Sequence, residues 1–352
     1  MKKKIAVIGA GFFGSVSAIM LSKYYKVDLF EKNSQILCGA SRANQFRFHL
    51  GYHYPRSKKT VDEIKLHFKE FYNYFGKNVF GTTNNYYGIA KINSKTNFKE
   101  YLHFLKKNKL KYKQINSIGF NEKQIAGQLI SYEKNLNYFK IKKIIENKLK
   151  NKNINLYLKK EFKKKNINEY DKIIVACYDQ NNTILKKLGC VIKKKFRYEL
   201  VEKIIIKLPK KYRNKSYMVL DGNFVCLDPY LGTKFHLLSD VKNSKLEITK
   251  NKYPNFKHLN KKFLNKEIIK FSKFSNFKKF IKNSSKYLPF LDEAKYYGSF
   301  YVTRAIKKDK EKTDERLNEI SLYGDKFISI FSGKWNTCIG VAKNITHMIK
   351  ND

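Results

Sequence analysis

The stretch that decides the fold reads Gly9-Ala10-Gly11-Phe12-Phe13-Gly14 and follows directly on an apolar run, Lys3 to Ile8. The apolar run predicts a strand, and residues 15–25 after the glycines predict a helix. A second predicted strand, Val27 to Phe30, ends on Glu31. This order of strand, turn, helix and strand is the context that a dinucleotide-binding fingerprint requires.

Each glycine of this fingerprint has a physical role in binding a dinucleotide. Gly9 permits the tight turn, Gly11 lets backbone N–H groups approach a pyrophosphate, and Gly14 lets the helix pack closely on the strand. The positive end of the helix dipole favours the phosphates. Glu31 stands 20 residues after Gly11, where a carboxylate accepts hydrogen bonds from ribose hydroxyls. The pattern predicts nucleotide binding, the alternative being a glycine-rich turn in some other α/β protein.

A second informative segment spans residues 39–54 and combines small residues, polar side chains and a His-x-Gly-x-x-Tyr run. It resembles the flavin-contacting segment of the D-amino-acid oxidase-like superfamily of FAD-dependent oxidoreductases, and glycine oxidase and 2-hydroxyglutarate dehydrogenase are the members that it resembles most. Further along, residues 171–177 are similar to the family's second nucleotide-side strand. Residues 301–304 and 332–334 resemble its C-terminal return to the flavin. The fingerprint alone leaves NAD and FAD open, and this resemblance favours FAD.

Two features depart from the family pattern. The turn after the second nucleotide-side strand, Ala176 to Gln180, contains no glycine, and the C-terminal segment lacks a glycine cluster beyond Gly333. Flavin placement at that end is therefore less well defined by the sequence than at the N-terminal end.

The resemblance implies an α/β fold with two domains. A Rossmann-like FAD-binding domain with a mainly parallel sheet would comprise residues 1–75, 141–195 and 300–352. An α+β substrate domain with a mostly antiparallel sheet would comprise residues 76–140 and 196–299. Alternating helices and apolar strands in the first half of the chain also favour a parallel sheet, and several short strands between 197 and 238 favour an antiparallel one. The Lys/Phe-rich segment 255–283 is expected to be helical.

Cofactor contacts are implied by the resemblance in three parts of the chain. At the C-terminal end, Lys334 or a backbone N–H near Gly333 is expected to stabilise negative charge on the reduced ring, the alternative being an ordinary turn followed by a helix-start lysine. The full set of expected FAD contacts is Gly9, Gly11, Phe12, Phe13, Gly14, Glu31, Lys32, Ser41, Arg42, Asn44, Ala176, Gly333 and Lys334.

Two residues are candidates for chemistry. Arg304 is implied to clamp a substrate carboxylate, because a guanidinium group matches a carboxylate bidentately; the alternative is an ion pair with Glu311, Asp314 or Glu315. His49 is implied to accept a proton from a substrate hydroxyl or amine; the alternative is a histidine that packs beside the flavin. Arg47, His53, Tyr54 and Tyr230 are expected to shape the substrate pocket, although a tyrosine in a chain with 25 of them is more often a packing residue.

The composition limits the possible partners. The net charge is +45, which attracts anions at low salt, but the lysines are scattered, and Lys, Asn, Ile, Tyr and Phe share A/T-rich codons. A small-molecule substrate is therefore expected rather than a specific nucleic acid. The five cysteines show no metal-ligand spacing, Gly51 and Pro55 argue against a helical His49/His53 metal pair, and no metal is expected. No signal peptide or membrane span is visible, so a cytoplasmic protein of undefined oligomeric state is expected.

Taken together, the sequence predicts an FAD-dependent oxidoreductase. It would remove a hydride from a CH–NH or CH–OH carbon of an amino acid, a 2-hydroxy acid or a sugar-derived compound and pass it to flavin N5. Neither the substrate nor the electron acceptor is defined. Three alternatives stay open: a flavin-dependent RNA-modifying enzyme, a non-catalytic nucleotide-binding partner module, and NAD as the sole cofactor.

Overall fold

The computed structural model describes residues 3–116, 119–222, 225–257, 261–307 and 315–352. It contains two large sheets, with helices packed on the smaller one. The strands, in chain order, are β1 Lys4–Ile8, β2 Lys26–Phe30, β3 Arg47–Phe48, β4 Asn84–Ala90, β5 Tyr112–Gln114, β6 Ile125–Ser131, β7 Lys134–Asn135, β8 Ile154–Tyr157, β9 Lys172–Val175, β10 Phe196–Lys207, β11 Lys215–Leu220, β12 Val225–Pro229, β13 His236–Asp240, β14 Lys245–Asn251, β15 Lys295–Lys307, β16 Glu319–Tyr323 and β17 Phe327–Phe331.

The first sheet has six strands in the order β16-β17-β9-β1-β2-β8. All neighbouring pairs are parallel except β16 with β17. Strand β1 lies inside the sheet and is covered on both faces, so that Ile5 and Val7 are fully buried. A parallel sheet buried on both faces favours such continuous apolar strands, which is why the N-terminal run was recognisable from the sequence.

The helices pack mainly around this first sheet. Their bounds are α1 Phe12–Leu21, α2 Lys58–Phe75, α3 Phe98–Lys107, α4 Tyr138–Leu149, α5 Asn181–Lys187, α6 Phe277–Ser284 and α7 Cys338–Lys350. Every residue of α1 is buried because the helix packs against β1, β2, α4 and α7. Helix α3 begins with a capping box, in which the Asn97 side chain accepts a hydrogen bond from the Glu100 N–H and the Glu100 carboxylate accepts one from the Asn97 N–H.

The second sheet has nine strands. Eight of them follow the order β14-β10-β13-β12-β11-β4-β6-β5, and the ninth, β15, pairs with β10 along the edge opposite β14 and β13. All its pairs are antiparallel except β11 with β4. A parallel sheet with helices beside a mostly antiparallel sheet confirms the predicted fold class. The domain boundaries stay a prediction: β15 crosses the boundary at residue 300 and belongs to the second sheet over its whole length.

The prediction of a helix over 255–283 was wrong for most of the described part of that segment. Only α6 is an α-helix of regular length there, and residues 258–260 lie outside the described part. Leu264 and Ile269 instead form isolated bridges with Tyr301 and Ser299 of β15. Backbone pairing with a neighbouring strand outweighs the weak helix propensity of this segment, because propensity is a small term beside tertiary packing.

Candidate functional site

A cavity of about 760 Å³ lies between the two sheets. It opens at the carboxyl ends of β1, β2 and β9, which is where parallel α/β sheets bind their ligands. The lining comes from the turns after these strands, from segment 38–56, from residues 330–335 and from one face of β10. The volume is within the usual range for a small-molecule or cofactor site.

The glycine turn forms a close-packed cradle at one end of this cavity. Gly9 has φ +99°, and a Cβ there would lie 2.8 Å from the Ala176 carbonyl oxygen. A Cβ on Gly14 would lie 1.8 Å from the Gly9 oxygen, so Gly14 serves the packing of α1 on β1 and does not line the cavity. Gly11, Phe12, Phe13 and Ala176 do line it. The cradle leaves backbone space at the N-terminus of a helix, which suits a pyrophosphate.

Glu31 lies at the carboxyl end of β2 and is fixed by its neighbours. Its Oε2 accepts a hydrogen bond from the Ala10 N–H at 2.9 Å, and Oε1 accepts bonds from the Asn33 backbone N–H at 2.9 Å and side chain at 2.7 Å. A carboxylate can accept about four hydrogen bonds, so acceptor capacity is left for a ribose hydroxyl. Lys32 follows at the same edge of the cavity.

Segment 39–47 covers the cradle from the other side. Ser41 accepts the Phe12 N–H at 3.2 Å, and Asn44 accepts the Phe46 N–H at 3.2 Å; both side chains line the cavity. The placement of Arg42 differs from the prediction, because its guanidinium group is ion-paired with Glu267 and donates to the Lys266 carbonyl at 2.9 Å. Arg42 therefore fixes this segment to the chain around 266 and is not among the lining residues.

Arg47 was predicted to contact substrate, but most of its hydrogen-bonding groups are used inside the protein. The side chain is 1% exposed, and it donates to Asp228 Oδ1 at 2.7 Å, to Ser216 Oγ at 2.5 Å and to Asn85 Oδ1 at 3.1 Å. Glu133 Oε2 lies 3.5 Å away. Buried charges need such partners, so Arg47 is primarily a structural ion-pair residue at the inner wall of the cavity.

Three aromatic side chains, His49, His53 and Tyr54, form a cluster on the cavity wall together with Lys334. The ring centroids of His49 and His53 are 5.4 Å apart. The Tyr54 ring centroid lies 5.5 Å from that of His49 and 5.1 Å from that of His53. The Lys334 ammonium lies 4.6 Å from the Tyr54 ring centre. The Tyr54 hydroxyl is buried and has no hydrogen-bond partner among the described residues, so it is available to a ligand in the cavity.

Burial changes the protonation of this cluster. Desolvation and the nearby Lys334 lower the pKa of His49, against an opposing effect of Glu133. Desolvation, His49 and Lys334 lower the pKa of His53 well below its usual value. Desolvation lowers the pKa of Lys334 to about 8. At neutral pH both imidazoles are therefore uncharged and able to accept a proton, while Lys334 keeps most of its charge.

The C-terminal part of the site differs in one detail from the expectation. Gly333 lines the cavity, but its N–H donates to Asn318 Oδ1 at 2.8 Å and is not available to a ring. A Cβ at Gly333 would lie 2.0 Å from the Arg316 oxygen, so the glycine is required for packing. Lys334 is the group at this position that can offset negative charge.

Arg304 is held by a carboxylate that the sequence interpretation did not consider. Its Nε donates to Glu199 Oε2 at 2.7 Å, and Nη2 contacts the same oxygen. Glu199 is the cross-strand partner of Arg304 on β10 and also binds Arg197 at 2.8 Å. Of the predicted partners, Glu311 and Asp314 lie outside the described residues. Arg304 lines the cavity, but its charge is already paired.

Lys203 is a cavity residue that sequence reasoning missed. It lies on β10, on the face that also presents Arg197, Glu199 and Val201 to the cavity. Desolvation is the main cause that lowers its pKa to about 8. Its ammonium donates to Ser239 Oγ at 3.3 Å, and no carboxylate of the described residues forms an ion pair with it. Charged residues at alternate positions of a predicted strand were the signal that could have identified it.

The turn without glycine, Ala176 to Gln180, also lines the cavity. Tyr178 takes the left-handed conformation there, with φ +54°, and its hydroxyl accepts the Ala305 N–H at 3.0 Å. A bulky residue in this conformation is strained, and the bond to β15 supports it. Next to it, desolvation raises the pKa of Asp179 to about 6.

Tyr230 is placed in the hydrophobic core and not in the cavity. It is 4% exposed, and its ring packs against Phe46 at 6.0 Å and Phe139 at 5.4 Å. The prediction of a substrate contact at Tyr230 is therefore corrected to a packing role.

Other features of the described residues concern metals, thiols and membranes. No group of three or more His, Cys, Asp or Glu side chains within residues 3–116, 119–222, 225–257, 261–307 and 315–352 is arranged to hold a metal ion. All five cysteines are free thiols. In the same ranges, no helix combines the length and the apolar character needed to cross a membrane.

Comparisons with known proteins agree with this geometry. Residues 4–115 match the family model described as FAD dependent oxidoreductase. The FAD-dependent monooxygenase FPY4 of Fusarium mangiferae is 35% identical over 72 residues, a match that spans only 20% of either chain.

Solved structures share the fold over nearly the whole length. Glycine oxidase from Geobacillus kaustophilus superimposes with a TM-score of 0.70 at 10% identity, covering 99% of this chain and 95% of the other. The FAD-bound L-alpha-glycerophosphate oxidase from Mycoplasma pneumoniae gives a TM-score of 0.69 at 14% identity and covers 99% and 95%. L-proline dehydrogenase from P. horikoshii gives 0.69 at 15% identity and covers 99% and 94%.

The glycine cradle, the fixed Glu31 and the unpartnered Tyr54 hydroxyl fit an FAD molecule in the cavity. The family model confirms the predicted FAD cofactor and oxidoreductase class for the part of the chain that it matches, residues 4–115. The match over residues 4–115 and the fold shared over nearly the whole length agree with the predicted resemblance to the D-amino-acid oxidase-like superfamily of FAD-dependent oxidoreductases.

Proposed function

We propose that this protein oxidises a CH–NH or CH–OH carbon of a small substrate that carries an anionic group. The observation that carries the proposal is a cavity lined by a neutral imidazole, His49, and by an ammonium, Lys203, that has no carboxylate partner among the described residues. FAD, when bound, supplies the acceptor for the hydride. The protein's own residues must then bind the substrate anion, orient the reacting carbon and take up one proton.

Lys203 is the best-suited residue for the substrate anion. Its pKa of about 8 leaves it protonated at neutral pH. Within the described part of the chain, its hydrogen-bond partner is a hydroxyl, Ser239 at 3.3 Å. A partly buried cation with such a neutral partner is stabilised by an incoming carboxylate or phosphate. Arg304, the residue that the sequence favoured for this role, is less suited because it already forms an ion pair with Glu199.

His49 is the best-suited proton acceptor. Oxidation of a CH–NH or CH–OH group to C=N or C=O releases a hydride from carbon and a proton from nitrogen or oxygen. A neutral imidazole that lines the cavity can take this proton during the reaction. Lys334, on the same wall, offsets negative charge in the cavity.

The proposal is tested with the purified protein loaded with FAD. Amino acids, 2-hydroxy acids and sugar acids are added one at a time without oxygen, and bleaching of the visible flavin absorption identifies the substrate class. For the compound that bleaches the flavin, Lys203→Met is expected to weaken binding by about 10- to 100-fold, because a hydrogen bond to a charged group contributes about 1.5–3 kcal/mol. Lys207→Met is the matched control, since Lys207 is an exposed lysine at the end of the same strand.

Three results would contradict the proposal. If only uncharged analogues such as amides or esters bleach the flavin, or if Lys203→Met binds the anionic substrate as well as the control does, the anion site is wrong. If the protein takes up FAD and no member of the panel bleaches it, oxidation of a small CH–NH or CH–OH substrate of these classes is wrong.

A further inference from the structure

A buried carboxylate that sequence reasoning did not single out lies behind His49. Glu133 stands between β6 and β7, and its side chain is 0% exposed. Its Oε1 accepts the Leu50 N–H at 2.8 Å, and its Oε2 accepts the Tyr87 hydroxyl at 2.5 Å. Arg47 Nη1 lies 3.5 Å from Oε2. Glu133 is therefore held in one position by two separate parts of the chain, segment 47–50 and Tyr87 of β4.

Glu133 is ionised despite its burial. Desolvation raises the pKa of a buried carboxyl, but the contacts with His49, Arg47 and Tyr87 outweigh it, so the pKa of Glu133 lies below its ordinary value. The protein thus keeps a negative charge at the back of the cavity wall, and burial makes such a charge sensitive to its neighbours.

The nearest ring nitrogen of His49 points at this carboxylate. His49 Nδ1 lies 3.6 Å from Glu133 Oε1, just beyond hydrogen-bond length. Nδ1 is buried and has no other partner among the described residues, whereas 13% of the whole His49 side chain is exposed. The exposed part of the ring therefore lies on its other atoms, on the side that lines the cavity.

We infer that Glu133 is the positioning residue of His49: it keeps the proton of the neutral imidazole on Nδ1, so that Nε2 receives the substrate proton. This inference rests on the proposed function of His49. The bond that forms is Nε2–H, and the proton comes from the substrate N–H or O–H. As the imidazolium forms, the Nδ1–H and the carboxylate become a charge-assisted hydrogen bond.

The other charged groups around His49 make this carboxylate necessary. Lys334 and Arg47 are cations that disfavour a second positive charge on the ring, and His53 and Tyr54 contribute no negative charge. Among the described residues, Glu133 is the carboxylate within ion-pair distance of the ring. Without Glu133, the positive charge that forms on His49 would lie near Lys334 and Arg47, with no carboxylate of the described residues within ion-pair distance to offset it.

The test compares Glu133→Gln with Glu202→Gln in the FAD-loaded protein. Glu202 is also fully buried and hydrogen-bonded, to Ser275 at 2.6 Å and Ser299 at 2.5 Å, but it does not line the cavity. The rate of flavin reduction by the substrate is measured without oxygen as a function of pH. Glu133→Gln is expected to lower the high-pH rate by about 10- to 100-fold, by analogy with the loss of a carboxylate that orients a metal-bound histidine.

The pH profile separates positioning from a merely structural role. The rate rises with pH as His49 loses its proton, and loss of the carboxylate lowers the pKa of His49 further, so the midpoint of this rise moves to lower pH. Substrate affinity stays within twofold of the control. A rate and midpoint equal to those of Glu202→Gln would overturn the inference. If Glu133→Gln does not fold, Glu133→Asp decides: it keeps the charge but withdraws the carboxylate, and an unchanged high-pH rate would overturn the inference.

His49→Asn keeps this result distinct from a failure of the proposed function. If His49→Asn reduces the flavin as fast as the unsubstituted protein, His49 is not the proton acceptor and the proposed function fails at that residue. If His49→Asn is slow while Glu133→Gln is unaffected, the proposed function stands and the role of Glu133 is wrong.

Discussion

Substitution of Arg47 by methionine is expected to destabilise the protein and not merely to weaken substrate binding. The guanidinium group is the central cation between the buried carboxylates of Asp228 and Glu133. Methionine removes the charge and the guanidinium group while keeping an unbranched chain in place of the aliphatic part of arginine. Breaking a buried ion pair by removing one partner typically costs about 3–5 kcal/mol, because the other charge is left without its counter-ion.

The structure places the expected cost at the lower end of this range. Without Arg47, the carboxylate of Asp228 keeps three donors: Asn135 at 2.8 Å, Ser216 Oγ at 2.6 Å and the Cys226 thiol at 2.8 Å. A carboxylate with several donors is partly compensated, so we expect a loss of about 3 kcal/mol in the free energy of unfolding.

The assay is urea unfolding at a fixed excess of FAD, followed by the fluorescence of Trp335. This residue is the single tryptophan, it is 8% exposed, and it stacks on Phe12 at 5.2 Å. For a urea dependence of about 3 kcal/mol per M, the midpoint should fall by roughly 1 M. Arg213→Met, at an exposed arginine, is the control and should change stability by less than about 0.5 kcal/mol.

A loss of stability below about 1 kcal/mol for Arg47→Met would refute this reasoning. If it were accompanied by a large loss of substrate affinity, Arg47 would be a substrate ligand, as the sequence suggested. A stability loss with unchanged affinity for FAD and substrate would support the structural assignment.

Three further outcomes are expected. Gly14→Ala should abolish FAD retention during gel filtration, because the added Cβ would lie 1.8 Å from the Gly9 oxygen and force α1 away from β1; retention equal to the unsubstituted protein would contradict the close packing. Lys334→Met should lower the reduction potential of bound flavin, measured against reference dyes, because a cation that stabilises added electrons is lost; an unchanged potential would place Lys334 away from the ring. Stability should fall from pH 6.5 to about 4, because desolvation lowers the pKa of buried His236 to about 4 and the unfolded chain then binds the proton first; thermal unfolding should show this slope, reduced in His236→Asn.

The part of the structure that depends on local rules was predictable from the sequence. Strand β1, the glycine turn and α1 follow from a continuous apolar run and from positions where a Cβ has no space, as at Gly9 and Gly14. Such features are encoded within about 30 residues and require no knowledge of distant contacts. The FAD prediction followed from them and from the resemblance of segment 39–54.

The misassigned residues are those whose role is decided by partners far along the chain. Arg47 is ion-paired with Asp228, 181 residues away along the chain, and Arg304 is ion-paired with Glu199, 105 residues away. No local pattern distinguishes an arginine that binds substrate from one that meets a buried carboxylate. Glu133 was missed for the same reason, since its contact with His49 appears only in the folded structure. Lys203 differs, because the alternating charges of its strand were a local signal that the sequence interpretation did not use.

The helix prediction for residues 255–283 was wrong for a different reason. Its spacing of lysine and phenylalanine is compatible with a helix, but Ile269 pairs with Ser299 of β15. Propensity differences are tenths of a kcal/mol per residue, and a strand edge that offers backbone partners can override them.

The long sequence separation between Arg47 and Asp228 also bears on how the chain folds. During synthesis, Arg47 leaves the ribosome well before Asp228, and the two must remain apart until 181 further residues have been added. The N-terminal strand–turn–helix can form early from local contacts, whereas the inner wall of the cavity closes late, because non-local contacts form only after long loops have closed. A nascent chain truncated before Asp228 would carry an unpaired cation on an unfinished surface, and this is the stage at which association with other chains is most favoured.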